Sequence, residues 1–238
     1  VLYRGERELC FLPLAHAYSC AFNFLVPMAV GAHVYLLGKV PSPKILLKAF
    51  EEVKPNLILT VPLILEKIYK KMILPQLSKT TMKLALNIPL LDSRIYAQIR
   101  KKLVDSFGGR FREVIVGGAA MNEEVTNFLY KIKFPFTIGY GMTECGPLIS
   151  YDHNDEYVPG SCGQILKGIM KVRIDSEDPY DKVGEIQVSG ENVMKGYYKN
   201  EEATSKVFTE DGWLRTGDLG TIDADNRIYI RGRSKTMI

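Results

Sequence analysis

Two apolar segments that each run directly into a glycine-rich loop constrain the fold of this chain most strongly. REVIV leads into GGAAMNEEVTNFLYKI, and FPFTI leads into GYGMTECG. Short, fully apolar strands are typical of parallel sheets whose two faces are both covered by helices. The pattern therefore predicts an α/β fold, in which Asn122 caps the helix that follows the first glycine loop.

The residues before these segments alternate between strand-like and helix-like patterns. HVYLLG is a β-branched and aromatic run, SPKILLKAFEEVKP has apolar residues at helical spacing, and NLILTVP is typical of a buried strand. Together they predict a β-α-β unit. A mostly helical stretch follows over residues 63–107, and we expect the glycines at 108–109 to end it.

The most apolar stretch, residues 20–38, approaches the length of a membrane span. Asn23, Pro27, Gly31 and His33 interrupt it. Such interruptions disfavour a membrane helix. We therefore expect a buried helix that leads into a strand.

From about residue 151 the helical periodicity fades, and short β-like runs appear between turn residues. These runs are MKVRID, GEIQVSG, GWLRTGD and NRIYIRG. We therefore predict a parallel-sheet αβα subdomain over residues 1–150 and a smaller, β-rich and barrel-like subdomain over residues 151–230.

Composition narrows the classes of function. The 238 residues are 46% hydrophobic and 24% charged, which is typical of a chain with a buried core. The net charge is only +4 and no run of five like charges occurs, so nucleic acid is not indicated as a partner. The four cysteines lack CxxC spacing, which favours reduced thiols in a cytosolic protein.

The loop after the second apolar strand carries three kinds of side chain that a nucleotide needs. The ring of Tyr140 can stack on a base, the hydroxyl of Thr143 can bond a phosphate, and Glu144 can hold Mg²⁺. The alternative is an ordinary strand-to-glycine turn, which is common in α/β proteins. No GxxxxGK[ST] phosphate loop and no GxSxG nucleophile elbow occurs.

Asp218 and the three histidines each have two interpretations. Asp218 follows a glycine, where it is either an ordinary turn former or an acceptor for ribose hydroxyls. His16 lies in an apolar context, which suits a core or pocket-wall residue better than an acid–base catalyst. His33 and His153 lack the spacing of metal ligands, so we assign them no role.

Four motifs in a fixed order carry a family resemblance over essentially the whole chain. They are TIGYGMTE, GEIQVSGENVMKGYY, DGWLRTGDLG and NRIYIRGRSK. This order resembles the adenylate-forming superfamily of acyl-CoA synthetases, luciferases and peptide-synthetase adenylation domains, and within it the long-chain fatty acid-CoA ligases most. The resemblance implies that ATP and a carboxylic acid form an acyl-adenylate, from which coenzyme A takes the acyl group as a thioester.

The resemblance also implies roles for individual residues in binding the nucleotide. Thr143 would bond the phosphate, Glu144 would help hold Mg²⁺, and Arg233 would reach the ribose and phosphate. Asp218 would take the ribose hydroxyls and Tyr140 would stack on adenine. The remaining nucleotide-binding positions would be Gly117, Gly118, Ala119, Gly139, Gly141 and Met142.

For the acyl group, the resemblance implies a pocket lined by His16, Gly118 and Gly141. It also implies that residues 231–238 lead to a further, mobile domain, with Lys235 as the hinge. The chain starts at Val1 and stops straight after a basic cluster, so we interpret it as a fragment. The resemblance implies a phosphate loop and a C-terminal domain that this sequence does not contain, so we expect the fragment to be inactive alone.

The implied ligands are a fatty acid, ATP or AMP, Mg²⁺ and coenzyme A, with no obligate protein partner. The implied location is cytoplasmic, with peripheral membrane contact left open. Two alternatives also stay open: an enzyme that adenylates another carboxylic acid, and a non-catalytic AMP-binding relative.

Overall fold

The computed structural model of the chain describes residues 2–88 and 91–234. The chain divides into two compact units between Phe136 and Thr137. The assignment of residues 1–150, 151–230 and 231–238 to separate functional regions stays a prediction.

A five-stranded sheet organises the first part of the chain. Its strands are β1 (Arg7–Cys10), β2 (His33–Leu36), β3 (Leu57–Thr60), β4 (Glu113–Val116) and β5 (Phe136–Ile138). Their order in the sheet is β2-β1-β3-β4-β5, and β1 pairs in parallel with β2 and β3, as β3 does with β4. The predicted β-α-β unit is present, and β1 lies between its two strands. The α/β prediction is therefore confirmed.

Within the described residues, nine helical segments connect the strands of this sheet. They are α1 (Ala17–Ser19), a π-helix (Cys20–Leu25), α2 (Val26–Val30), α3 (Pro43–Val53), α4 (Pro62–Met72), α5 (Leu74–Leu77), α6 (Thr80–Ala85), α7 (Leu91–Ser106) and α8 (Glu123–Lys131). Asn122 caps α8, because its side chain accepts a hydrogen bond from the backbone N–H of Val125 at 3.2 Å. Gly108 has a φ of 91°, and a Cβ there would lie 2.5 Å from the carbonyl oxygen of Phe50, so only glycine suits this stop.

The apolar stretch over residues 20–38 does form helix and then strand, but the expectation that it is buried is wrong. Asn23 and Pro27 are the buried positions of the π-helix and α2. Met28 is 58% exposed and Leu36 is 62% exposed. The reason is topological, since β2 is an edge strand of the sheet and α2 leads directly into it.

A buried polar network connects β1 with the π-helix. The side-chain amide of Asn23 donates to Glu8 Oε1 at 2.6 Å, and the hydroxyl of Ser19 donates to Asn23 Oδ1 at 3.1 Å. Glu8 is fully buried and its Oε2 atom has no hydrogen-bond partner. Burial raises the pKa of Glu8 to about 8, against the opposing effect of the Asn23 hydrogen bond.

The second unit is built on an antiparallel sheet. Its strands, in spatial order, are β6 (Met170–Asp175), β7 (Gly184–Gly190), β8 (Leu214–Ile222) and β9 (Ile228–Arg233). All four predicted β-runs are therefore strands. A 3₁₀ turn (Thr143–Cys145) and helix α9 (Glu201–Val207) also belong to this unit.

The β-rich unit is an open sheet with extensions. Isolated antiparallel bridges join Arg227 to Gln164, Ile165 to Ser150, and Ser150 to Tyr140. These bridges add short backbone pairings beside β9, and the barrel-like form of this unit stays a prediction. Its apolar core consists of Tyr140, Cys145, Ile149, Ile165, Met170, Ile174, Ile186, Val188, Leu214, Ile222 and Ile228.

An aromatic–cation contact lies beside this core. The guanidinium of Arg173 on β6 lies 4.6 Å from the ring centroid of Trp213, and its Nε donates to Gln187 on β7. The same guanidinium forms an ion pair with Asp211. The guanidinium therefore lies over the ring of the indole just before β8.

Of the described residues, no helix combines the length and the apolar character that crossing a membrane requires. All four cysteines are free thiols, at positions 10, 20, 145 and 162.

Candidate functional site

Asp218 is the centre of a hydrogen-bonded cluster in the second unit. It lies on β8 opposite Arg233 on β9, and the Arg233 Nε atom donates to Asp218 Oδ1 at 3.0 Å. The hydroxyl of Tyr140 donates to Asp218 Oδ2 at 2.7 Å. Each carboxylate oxygen therefore has one hydrogen-bond donor. The residue is only 6% exposed, so burial also restricts the direction of its side chain.

Thr216 holds the backbone of Asp218 from within the same strand. Its hydroxyl accepts from the backbone N–H of Asp218 at 3.1 Å and donates to the carbonyl of Ile186 at 2.7 Å. The TGD turn of the sequence is therefore part of a β-strand. The interpretation of Asp218 as an ordinary turn former is wrong, because the residue is paired within the ladder between β8 and β9.

Tyr140 joins the core of this unit to the cluster. Its ring is 7% exposed and packs in the apolar core. Burial, together with the negative charge of Asp218, raises the pKa of Tyr140 well above its ordinary value. The phenol consequently keeps its proton and acts as a donor to Asp218. Adenine stacking by this ring stays a prediction.

Thr143 and Glu144 lie on the 3₁₀ turn that follows the GYG loop. Thr143 is exposed and Glu144 is half-buried. The hydroxyl of Tyr197 donates to Glu144 Oε1 at 2.9 Å, and the backbone N–H of Met194 donates to the Glu144 carbonyl at 2.7 Å. The acidic side chain is thus held by a segment that lies far from it in the sequence.

The GYG loop is closely packed against its own continuation. A Cβ on Gly141 would lie 1.8 Å from the carbonyl oxygen of Pro147, so the backbone can take this path only with glycine. Gly139 is less restricted, since its nearest neighbour would be the Ser150 carbonyl at 3.5 Å. Met142 precedes the 3₁₀ turn and packs against the core of the unit.

The 3₁₀ turn offers one carboxylate, that of Glu144, which would suit a magnesium ion whose other ligands are water and phosphate oxygens. Among the described residues, no three His, Cys, Asp or Glu side chains are grouped as metal ligands. Mg²⁺ usually takes one or two protein carboxylates and completes its shell with water and substrate phosphates. Glu144, with one oxygen oriented by Tyr197, offers such a carboxylate.

In the first unit, the glycine loop after β4 approaches Tyr18. A Cβ on Gly117 would lie 3.1 Å from Cζ of the Tyr18 ring, and the Tyr18 hydroxyl donates to the Ile115 carbonyl at 3.2 Å. Gly118 has a φ of 86°, and it is exposed together with Ala119. Gly117 itself is buried against that ring, so the accessible backbone of this loop is that of Gly118 and Ala119.

His16 lies at the N-terminus of α1 and is exposed. Its carbonyl accepts from the backbone N–H of Cys20 at 2.9 Å. The exposure argues against a core histidine and is compatible with a wall of an open pocket. Lys235, the predicted hinge, lies outside the described residues.

The structure brings together two groups of sequence-predicted residues in the second unit. Tyr140, Asp218 and Arg233 form one cluster, and Thr143 and Glu144 share one 3₁₀ turn. His16, Gly117, Gly118 and Ala119 belong to the first unit. Sequence reasoning missed the roles of Asn192, Met194, Tyr197 and Thr216, although GENVMKGYY carries the first three of them at a fixed place in the motif order.

Comparison with known proteins gives the chain a family. The family model described as AMP-binding enzyme matches residues 2–198. Long-chain-fatty-acid–CoA ligase 1 of Saccharomyces cerevisiae is 28% identical over 98% of this chain and 36% of that protein. 4-coumarate-CoA ligase 1 of Narcissus pseudonarcissus is 31% identical over 97% of this chain and 39% of that protein.

A solved structure agrees with these sequence relatives. A malonyl-CoA ligase ternary product complex, with methylmalonyl-CoA and AMP bound, superposes with a TM-score of 0.73 at 25% identity. It matches 99% of this chain and 45% of that structure, so the chain spans less than half the length of each of these relatives. The matched residues include both glycine loops and the 3₁₀ turn, and the chain belongs to the AMP-binding enzyme family.

Proposed function

We propose that this chain forms the nucleotide-binding part of an acid–CoA ligase that acts on long-chain fatty acids. In the first half-reaction, a carboxylate oxygen attacks the α-phosphorus of ATP and pyrophosphate leaves. In the second, the thiol of coenzyme A loses its proton and attacks the acyl carbon, and AMP leaves. Each half-reaction needs alignment and charge neutralisation more than proton transfer by the protein.

The Tyr140–Asp218–Arg233 cluster is the observation that carries this proposal. A carboxylate whose two oxygens each accept one hydrogen bond retains further lone pairs for vicinal ribose hydroxyls. Arg233 supplies a cation close to that position, and its side chain is largely exposed. The cluster therefore combines a ribose acceptor with a cation that can approach a phosphate.

The other roles follow from the GYG loop and its 3₁₀ turn. Thr143 bonds a phosphate oxygen, and Glu144 holds Mg²⁺, which neutralises phosphate charge when it is bound. In the first unit, Gly117, Gly118 and Ala119 border the adenine and the acyl group. In the same unit, His16 and Gly118 are positions of the acyl wall.

An aryl acid is the second candidate substrate. It is supported by the 4-coumarate ligase of Narcissus, which is slightly more similar in identity than the yeast long-chain enzyme. The family match applies equally to both substrate classes, so the acid has to be identified by binding measurements.

The test is calorimetric titration of the whole protein with two non-hydrolysable analogues, palmitoyl-adenylate and 4-coumaroyl-adenylate. We expect the palmitoyl analogue to bind more tightly. Asp218→Asn should weaken both by about 1 to 3 kcal/mol, because a ribose hydroxyl loses its charged acceptor. Asp181→Asn is the matched control, since it makes the same charge change on an exposed turn before β7.

Equal binding by the wild type and Asp218→Asn would contradict the ribose role of the cluster. Tighter binding of the 4-coumaroyl analogue would replace the fatty acid by an aryl acid within the same function. Tight AMP binding with no thioester formed from either acid would favour the non-catalytic alternative.

A further inference from the structure

The segment over residues 192–197, which follows β7, makes three kinds of contact with the turn that carries Glu144; we call it the clasp segment. The side-chain amide of Asn192 donates to the carbonyls of Cys145 at 2.7 Å and Leu148 at 2.8 Å. The backbone N–H of Met194 donates to the Glu144 carbonyl at 2.7 Å. The Tyr197 hydroxyl reaches the Glu144 carboxylate itself at 2.9 Å.

These contacts differ in what they fix. Asn192 and Met194 bind backbone carbonyls and so hold the path of the 3₁₀ turn. Tyr197 alone among the three contacts the Glu144 side chain, 53 residues away in the sequence. The carboxylate direction therefore depends on this phenol.

Tyr197 is itself held in place by helix α9. Its backbone N–H donates to Thr204 Oγ1 at 2.9 Å, and the Thr204 hydroxyl donates to the Asn200 carbonyl at 2.8 Å. Gly196 has a φ of 151°, and a Cβ there would lie 2.8 Å from Thr204 Cγ2, so the chain passes very close to α9 at this point. Only glycine permits this close approach.

We propose that Tyr197 is a positioning residue for Glu144, which it orients for the Mg²⁺ that accompanies the nucleotide phosphates. This inference rests on the proposed function, because it takes Glu144 as the magnesium carboxylate. One oxygen of Glu144 is occupied by the phenol, so the carboxylate is aligned before the metal binds. A carboxylate that is already aligned loses less rotamer freedom when it takes a ligand.

The test measures the dependence of nucleotide binding on magnesium in the whole protein. The probe is α,β-methylene-ATP, in which a methylene group replaces the oxygen between the α- and β-phosphorus atoms. The bond that adenylation would break is therefore absent. Its dissociation constant is determined by calorimetry in excess Mg²⁺ and in EDTA, and the ratio of the two constants gives the gain due to magnesium. This readout does not depend on turnover.

We expect Tyr197→Phe to reduce the magnesium gain by about tenfold, as for the loss of one hydrogen bond to a charged group. Binding in EDTA and the melting temperature should stay close to the wild type. Tyr198→Phe is the matched control, because it removes the same hydroxyl from the next residue, which is 88% exposed. Thr204→Val is a second variant, which should give a smaller loss through the position of Tyr197.

A wild-type magnesium gain in Tyr197→Phe overturns the inference, and so does an equal loss of binding with Mg²⁺ and with EDTA. Glu144→Gln separates this failure from that of the proposed function. If Glu144→Gln abolishes the gain and Tyr197→Phe keeps it, only the positioning role fails. If Glu144→Gln itself keeps the gain, the magnesium role of Glu144 fails, and the positioning role fails with it.

Discussion

At the scale of single residues, Glu8 is a carboxyl group in an unusually buried environment. Burial with one unpaired oxygen favours the protonated form of this carboxyl group over the charged one. Its pKa in the folded chain is about 8, compared with an ordinary value of 4.5. The folded state therefore binds this proton more tightly than the unfolded state does.

We predict that the first unit loses stability as the pH rises from 4.5 towards 8. Below this window both states are protonated and the full stability is present, and above it the folded state has to bury a charge. The loss amounts to about 1.4 kcal/mol for each pH unit between the two pKa values. Urea denaturation at a series of pH values measures it.

Glu8→Gln should remove this slope, since an amide keeps a hydrogen bond to Asn23 and does not titrate. Glu51→Gln on the exposed face of α3 is the control and should keep the slope. A Glu8→Gln variant with the same pH dependence as the wild type would show that another group is responsible.

The sequence predicts residues of this kind poorly, because their partners are distant. Glu8 meets Asn23 only because the π-helix packs on β1, and Glu144 meets Tyr197 only because the clasp segment returns to the 3₁₀ turn. Neither the periodicity of the sequence nor the order of its motifs predicts either contact. Asp218 could be predicted as a site residue, but its two donors, Tyr140 and Arg233, could not be predicted as its hydrogen-bond partners.

At the scale of elements, local signals were sufficient where a few neighbouring residues decide the structure. The four β-runs of the second unit are strands, and the glycines at 108–109 end a helix. The prediction that residues 20–38 are buried is wrong, because apolar composition does not tell whether a strand lies at the centre or at the edge of a sheet.

Helix α8 offers a quantitative test of such a local signal. Asn122→Ala should lower the free energy of unfolding by about 1 kcal/mol, because the backbone N–H of Val125 loses its acceptor. Asn122→Asp should retain most of the stability, since a carboxylate is an equally good cap. Asn87→Ala, at an exposed position after α6, is the control in the same urea titration. Equal effects of the two alanine variants would argue against the cap.

At the scale of the whole molecule, exposed apolar side chains at the edge of the sheet stand out. Met28 on α2 and Leu36 on β2 are both more than half exposed, and β2 lies at the edge of the sheet formed by the described residues. Edge strands and apolar patches of this kind promote association between chains.

We predict that the 238-residue chain, studied by itself, associates as its concentration rises. Sedimentation velocity should give an average mass that increases with concentration. Met28→Lys combined with Leu36→Lys should reduce this increase, because both charges disfavour edge-to-edge contact. Tyr198→Lys, a control at an exposed aromatic of the second unit, should behave as the wild type. A mass that is constant over the whole concentration range would contradict the prediction.

The indole of Trp213 has a practical consequence that follows from its place at the start of β8. It is the only tryptophan in the sequence, and Arg173 lies over its ring. Its fluorescence emission is therefore an optical signal from the second unit alone, whereas far-ultraviolet circular dichroism reports on helices and strands throughout the chain. Recorded on one sample, the two signals tell directly whether the sheet of β6–β9 melts together with the rest of the chain or separately from it.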